Sequence, residues 1–515
     1  MPKHTRVVHA AKVPAIIIPS RRLYNADLAS RLKTKRQTGT GLNIATFWAS
    51  DVHNLGSYVF AASLFALGLR GWQLLLSVLV GSLLVQFLSH LIAKPSQLTG
   101  VPFPVACRLS FGVYGASVPT LIRAAITTLW YGFQTYLASV ALSVLLLKSF
   151  PELAAYASHS HTVLGLSTLG HVCWFVVWTL QVVASWNEWA ALKRIGPWSG
   201  PLMAASMTAL ALWVAWKAGA ASAHGFALGL RETNGQRTDA AATLGQMVSA
   251  VGLVVSAFAS AMLRVGDSAC NVRTYTAVKR GNLFGISLSF GMLALLAVTS
   301  SAGVYPLLGV ITHSPLETLA QLDAGTLGIF CVVLFVSANV SLSVTTHASS
   351  VGLDAAAVGV LPINRRGGRV LAALAAWLLT PWNWFDSPRA IFASLDMIGA
   401  LAGPVIAILI VDFYGVKAQR VKLDAMYSES VKGRYWYQRG VNWLAMRALC
   451  SGLLLGLALC IVSRCFADAI ILRAVAHFAW LVGALAGGVV YYVSAADEEP
   501  LAIAPSQVMR ARQLL

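Results

Sequence analysis

The chain has 515 residues, of which 57% are hydrophobic and only 11% charged, and its mean hydropathy is +0.69. An ordinary soluble domain carries roughly 25% charged residues, so this composition excludes one and points to a chain that crosses a bilayer in passes of about 20 apolar residues. The net charge of +19 would suit a nucleic-acid binder, but the placement of the basic residues assigns it to membrane topology instead.

Residues 1–40 read as a cytoplasmic tail. They are polar and basic and lack the short apolar stretch and cleavage site of a secretory signal. Apolar runs then fall near 45–68, 72–93, 117–147, 163–185, 198–218, 245–263, 281–305, 323–345, 368–385, 389–413, 447–466 and 470–493. The expected fold class is therefore an all-α polytopic membrane protein of about twelve helices, with one transmembrane domain over 41–495 and a short tail at 496–515. With both termini placed in the cytoplasm, 27 of the 38 Lys and Arg lie on that side, eight lie opposite, and Arg123, Arg264 and Arg447 sit in or beside spans. That bias satisfies the positive-inside rule. The seven cysteines form no CxxC pair, so neither a disulfide framework nor a zinc site is expected.

Two runs look interrupted. In FWASDVHNLGSYVF (47–60), Asp51, His53, Asn54 and Gly56 fall in mid-membrane. In GLVVSAFASAMLRVGD (252–267), small and hydroxyl residues lead into Arg264 and Asp267. Broken helices at matching positions of two halves mark transporter sites, because freed carbonyls coordinate cations and half-helix ends face polar substrate groups. The spacing of five spans suggests a five-plus-five inverted repeat, over about 41–218 and 245–413, followed by two extra helices at 447–493. A charge at mid-bilayer costs about 2.5–3.5 kcal/mol even on the lenient insertion scale, so Asp51 reads as a functional site or a structural ion pair. Lone Ser and Thr read first as interhelical hydrogen bonds.

The pre-membrane LYNADLA (23–29), the stretches SDVHNLGSYVFAASLFALGLRGWQ (50–73) and AKPSQLTGVPFPVACRLSFGVYGA (93–116), WYGFQTYL (130–137), GGRVLAALAAWLLTPWNW (367–384), LAGPVIAILIVDFYGVK (401–417) and RYWYQRGVNWLAMRAL (434–449) complete the pattern. Together they resemble the nucleobase:cation symporter-1 family, also called the purine–cytosine permeases, and within it the bacterial allantoin-permease branch. The resemblance implies the five-plus-five core. It also implies alternating-access import of a nucleobase or related ring amide, driven by Na⁺ or H⁺, with allantoin or a hydantoin ahead of uracil, cytosine and purines. It implies an integral protein of a bacterial inner membrane, with no cofactor beyond a coupling cation, no nucleic acid and no obligate protein partner. Such ligands are planar or nearly so, neutral and edged with alternating amide donors and acceptors, so they call for aromatic walls and a side-chain amide or carboxylate.

By that resemblance Trp130 supplies a stacking wall. Gln134, one helical turn on and on the same face, supplies the amide. Phe258 stands where the family has a second aromatic, and Asn54, Asn339 and Ser343 complete the substrate set. Ser343 replaces an Asn. The candidate cation positions, for Na⁺ or H⁺, are Ser50, Asp51, His53, Leu334, Ser337 and Ala338, where Ala338 has lost the family's hydroxyl. Arg264 and Asp267 are candidate partners in a cytoplasmic gate. Three rival readings stand beside it. A transporter of the same fold for an amino acid or vitamin leaves WYGFQ unexplained. A membrane-embedded enzyme needs a cluster of catalytic side chains, and His159, His161 and His171 lack carboxylate partners beyond Glu152. A non-transporting receptor needs a signalling domain. No Walker A motif is present.

Overall fold

A computed structural model describes residues 22–32, 37–157, 162–187, 196–219, 229, 240–358, 364–466 and 470–498. Most of the expected cytoplasmic tails, most of the 219–244 loop, and His159 and His161 lie outside the described residues. Nine helices among the described residues are long and apolar enough to cross a bilayer. Together with shorter and broken segments they are consistent with the about twelve passages expected.

Span 1 is Gly41–Val52 and Leu55–Ser63, span 2 Gly71–Thr99, span 3 Ser117–Ser149, span 4 Thr168–Trp186 and span 5 Ser199–Lys217. Span 6 is Ala240–Ala257 and Ala259–Ala269, and span 7 is Tyr275–Ser301. Span 8 begins as Gly325–Leu342 and continues through a π-helical turn at Ser343–Ala348 into Ser349–Val358. Span 9 is Arg365–Leu378, span 10 Pro388–Ile410, span 11 Trp443–Cys465 and span 12 Ile470–Ala476 with Ala479–Glu498.

Both expected interruptions are present, and they differ in kind. In span 1, His53 and Asn54 leave helical geometry, and Asn54 (φ −135°, ψ 161°) caps the second half by accepting the Ser57 N–H at 2.9 Å. An Asn in extended geometry is a strong N-cap, so this residue ends one half-helix and starts the next. In span 6 only Phe258 departs (φ −97°, ψ 8°), and the ladder resumes with Met262 N–H on the Phe258 carbonyl at 3.0 Å. Span 8, expected to end at 345, runs on to Val358. Asp354 made that turn look like loop, yet the carboxylate is fully buried because it is paired. Span 9, expected to reach 385, stops as a 14-residue helix at Leu378, and Thr380 then turns left-handed ahead of Pro381.

Close helix contacts fix the first break in place. A Cβ on Gly281 would lie 2.4 Å from the Gly41 carbonyl, and one on Gly285 would lie 2.9 Å from the Ala45 Cα. Bare backbone every fourth residue lets span 7 lie directly on span 1. Trp48 Nε1 then donates to Asn282 Oδ1 at 2.8 Å. Spans 11 and 12 join chiefly through span 10, where Gly452 and Gly483 close around Pro404. On the side expected to be cytoplasmic, buried Arg108 donates to the carbonyls of Leu23 (2.9 Å) and Met426 (3.0 Å). It ties the pre-membrane segment, the link between spans 2 and 3, and the 414–446 segment into one cap.

Candidate functional site

The site grows from the break in span 1. Unwinding at His53 and Asn54 frees the Asp51 carbonyl, which accepts Asn54 Nδ2 at 2.6 Å. Asn54 Oδ1 accepts both the Ser57 N–H and, at 2.6 Å, Gln134 Nε2 of span 3. Asn339 of span 8 takes the Leu55 N–H on its Oδ1 at 3.2 Å and donates Nδ2 to the Gln134 carbonyl at 3.4 Å. Three amides on three spans thus converge on one break. Asn54, Gln134 and Asn339 are all buried. Gln134 Oε1 and Trp130 Nε1 accept or donate no hydrogen bond among the described residues. A buried amide oxygen and an indole N–H left unpaired on one helix face are groups that a polar ligand can satisfy.

The aromatic walls lie beside them. Trp130 meets Phe133 edge-on at 5.8 Å and Phe385 edge-on at 6.2 Å, and Phe133 stacks on Phe385 at 4.7 Å. Phe385 belongs to the turn between spans 9 and 10. That turn approaches span 3 because Gly132 has no side chain, so Pro381 would stand 3.1 Å from a Cβ there. The turn is held from the other side by a hairpin, Thr162–Val163 with Leu166–Ser167, whose Leu164 carbonyl accepts Trp382 Nε1 at 2.8 Å. Phe258 is buried at the span 6 break and packs on Phe290 of span 7 at 4.4 Å. Ser343 opens the π-helical turn of span 8, buried, with its hydroxyl unpaired among the described residues. A π turn re-aims the side chains around it and recurs at functional positions.

Of the candidate cation positions, the structure turns Ser337 away from the break. Ser50 is buried, and His53 Nδ1 lies 2.8 Å from the Tyr58 hydroxyl. Leu334 is half-buried and Ala338 buried, but Ser337 is exposed and its hydroxyl is spent on the Val333 carbonyl at 2.7 Å. Span 8 therefore turns the one remaining hydroxyl of that pair outward.

The expected pairing of Arg264 with Asp267 does not form either. The two are one turn apart on the same half-helix, yet they face different neighbours. Arg264 Nη2 donates to Asp51 Oδ1 at 2.8 Å, joining the two half-helices that lead from the breaks towards the expected cytoplasmic side. Asp267 accepts Arg123 Nη1 at 2.7 Å and the Phe103 N–H at 2.8 Å. Arg123, fully buried in span 3, also forks onto both oxygens of Asp354 in span 8. The candidate gate is a network over spans 1, 3, 6 and 8. Sequence reasoning missed Arg123 and Asp354 as members of this network and Phe385 as part of the aromatic wall. Arg123 was legible as a charge inside an apolar run, but its partner lay beyond the expected end of span 8.

A family model for permeases of cytosine/purines, uracil, thiamine and allantoin matches residues 32–483. An allantoin permease of Bacillus subtilis (strain 168) is 27% identical over 96% of this chain and 97% of its own length. The purine-uracil permease NCS1 of Arabidopsis thaliana is 27% identical over 84% of this chain and 70% of its length. Among solved structures, Mhp1, a nucleobase-cation-symport-1 family transporter in a closed conformation with bromovinylhydantoin bound, superposes with a TM-score of 0.69. That match covers 94% of this chain and 98% of Mhp1 at 16% identity, and so bears on the fold alone.

Proposed function

We propose that this chain, which belongs to the family of permeases for cytosine/purines, uracil, thiamine and allantoin, imports a small neutral ring amide by cation-driven alternating access. Nucleobase and ring-amide symport is the activity of that family, and the chain is a transporter and not an enzyme. Allantoin or a hydantoin is the favoured substrate, ahead of uracil, cytosine and purines.

One observation carries the reading. Gln134 Oε1 is a buried acceptor left unpaired beside Trp130, at the point where three amides meet a broken helix. A ring amide brings an N–H to that oxygen and a flat face to the Trp130 ring. Asn54 and Asn339 hold Gln134 in place, Phe258 is the aromatic offered from the break of span 6, and Ser343 offers a hydroxyl from the π turn. Burying an unpaired donor or acceptor costs about 1–3 kcal/mol, so a ligand lacking the amide edge is rejected by the groups it leaves unsatisfied.

Secondary coupling is sufficient for scavenging. One cation moving inward down about 100 mV contributes about 2.3 kcal/mol, and a tenfold cation gradient adds about 1.4 kcal/mol. The protein is integral to the membrane, and a bacterial inner membrane with both termini in the cytoplasm fits its basic loops. The test is uptake into proteoliposomes with labelled allantoin, hydantoin, uracil, cytosine, hypoxanthine and leucine, varying Na⁺ and pH separately. Uptake of one or more ring amides and not of leucine is expected. Leucine uptake, or no binding of any ring amide, refutes the proposal.

A further inference from the structure

Away from the transport site, one cluster of positive charge has no carboxylate to answer it. It lies where spans 2, 7 and 10 meet on the side expected to be cytoplasmic. Span 2 (Gly71–Thr99) and span 7 (Tyr275–Ser301) contain no Asp or Glu. Lys94, near the end of span 2, and Lys279, in the second turn of span 7, nevertheless converge on one ring. Their ammonium nitrogens lie 5.3 Å and 5.5 Å from the centroid of Tyr275. His90, one turn before Lys94, also faces Lys279. Among the described residues neither lysine makes a salt bridge. The carboxylate at the end of span 10, Asp412, is buried and already accepts from Lys417, Tyr491 and Ser110.

The surroundings hold these groups in place. Lys94 is half-buried, and its Nζ donates to Gln419 Oε1 at 2.6 Å and lies 5.7 Å from the centroid of Tyr414. Tyr275 and Tyr414 donate in turn to the carbonyls of His90 (2.7 Å) and Leu91 (3.3 Å). An ammonium carries three N–H donors and no acceptor, so Lys94 keeps donors beyond the one that Gln419 takes. Lys279 is exposed and adds its own. Like charges gathered without an anion repel one another, and an anion between them turns that repulsion into attraction. A phosphate suits the position, because its oxygens accept strong charge-assisted bonds from ammonium groups. The positive end of the span 7 dipole favours it further.

Deeper along the same two spans the exposed side chains are apolar. Leu83 and Phe87 of span 2 and Phe284 and Leu288 of span 7 all point outward. Gln86, beside Phe87, accepts from Ser287, beside Leu288, at 3.1 Å, so these side chains border one seam. In a membrane-spanning chain such a seam meets acyl chains. Tyr275 and Tyr414 stand at its charged end, as interfacial aromatics do at the level of the headgroups. A ligand that sets a phosphate between two lysines and runs hydrocarbon along the helices beneath them is a phospholipid.

We propose that Lys94 and Lys279, gathered at Tyr275, bind the phosphodiester headgroup of an anionic phospholipid in the leaflet on that side, with its acyl chains along the seam of spans 2 and 7. A zwitterionic lipid brings an ammonium of its own to the lysines, so the anionic headgroup is the one selected. The site touches the transport machinery through span 7. Gly281, two residues past Lys279, is where span 7 packs on the Gly41 carbonyl at the start of span 1. A lipid held at Lys279 therefore steadies the base of the first half-helix.

The experiment uses the full chain in a neutral detergent. Short-chain phosphatidylglycerol, short-chain phosphatidylcholine or inorganic phosphate is added, and lipid affinity and Tm are read. Phosphatidylglycerol should bind roughly thirtyfold more tightly than phosphatidylcholine, the equivalent of about 1 kcal/mol for each lysine, and should raise Tm. Inorganic phosphate should leave Tm unchanged. Lys94→Gln combined with Lys279→Gln should bring the two lipids to equal affinity. Without lipid that variant should melt close to wild type, since relieved repulsion offsets the lost bond to Gln419. Lys432→Gln combined with Arg434→Gln removes the same charge from exposed positions of the 414–446 segment and should keep the preference. Equal binding of the two lipids by wild type overturns the proposal, as does a Tm rise reproduced by inorganic phosphate. So does a preference that survives Lys94→Gln with Lys279→Gln, or one that the Lys432→Gln and Arg434→Gln control loses to the same extent. A large fall in the lipid-free Tm of the first variant also overturns it, because the lysines then hold the helices and not a ligand.

Discussion

Gly56→Ala tests the site with the smallest perturbation the structure allows. Gly56 lies in the first turn of the second half of span 1, and its backbone is ordinary helix. Alanine is favoured over glycine inside a helix by about 1 kcal/mol, so the helix itself gains. The new methyl, however, would stand 2.9 Å from Gln134 Nε2, 3.3 Å from Asn54 Oδ1 and 3.4 Å from the Trp130 ring. Ordinary van der Waals contact begins near 3.4 Å, so the Gln134 amide must retreat, and the 2.6 Å bond to Asn54 is what it gives up. Losing that bond contributes about 0.5–1.5 kcal/mol, and mispositioning a buried amide adds to it. A net loss of about 2 kcal/mol corresponds to roughly thirtyfold weaker ring-amide binding. Calorimetric or scintillation binding should read that loss, while the Tm of the purified protein changes little, because the helix gain and the lost bond nearly offset. Gly291→Ala is the matched control, because the nearest atom to its Cβ is Leu79 Cδ2 at 3.8 Å. Wild-type affinity in Gly56→Ala would refute the placement of the amide cluster in the site, and an equal loss in Gly291→Ala would show that the effect is not local.

Gln134→Ala should lower ring-amide uptake at least about tenfold with little change in Tm, since an amide that meets ligand is worth about 1.4 kcal/mol or more; full uptake would remove Gln134 from the site. Arg123→Ala leaves Asp354 buried without its partner and takes the guanidinium from part-exposed Asp267, which costs about 3–5 kcal/mol; thermal melting should show a large fall, and an unchanged Tm would mean that the network does not hold spans 3, 6 and 8 together. Ser337→Ala should leave uptake and its ion dependence unchanged, because that hydroxyl points away from the amide cluster, whereas Asn339→Ala should reduce uptake. Burial first, and then the neighbouring Asp267 charge, push the Cys270 thiol up to about 12. The thiolate is the reactive form, so between pH 7 and 9 maleimide should label exposed Cys450 and Cys465 in the native protein and Cys270 only after denaturation; rapid native labelling mapped to Cys270 would contradict its burial.

The sequence by itself determined the membrane, the twelve passages and the position of the first break. Hydropathy, charge placement and a capping Asn are local properties, and each reads directly along the chain. It also placed Trp130 and Gln134 one turn apart, because helical spacing is fixed. The tertiary structure alone decided which side chains meet. Arg264 and Asp267 are neighbours in sequence, and the pairing expected from that nearness was replaced by Asp51 and Arg123, each from another span. Asp354 read as loop because a charge lowers hydropathy whether or not it is paired, and only Arg123 across the helix interface makes its burial tolerable. Phe385 became a wall because Gly132 admits Pro381. Ser337 kept its identity and lost its expected role because the rotation of span 8 turned it outward. Helix rotation and packing distance depend on contacts made hundreds of residues apart, and periodicity along one chain carries no record of them.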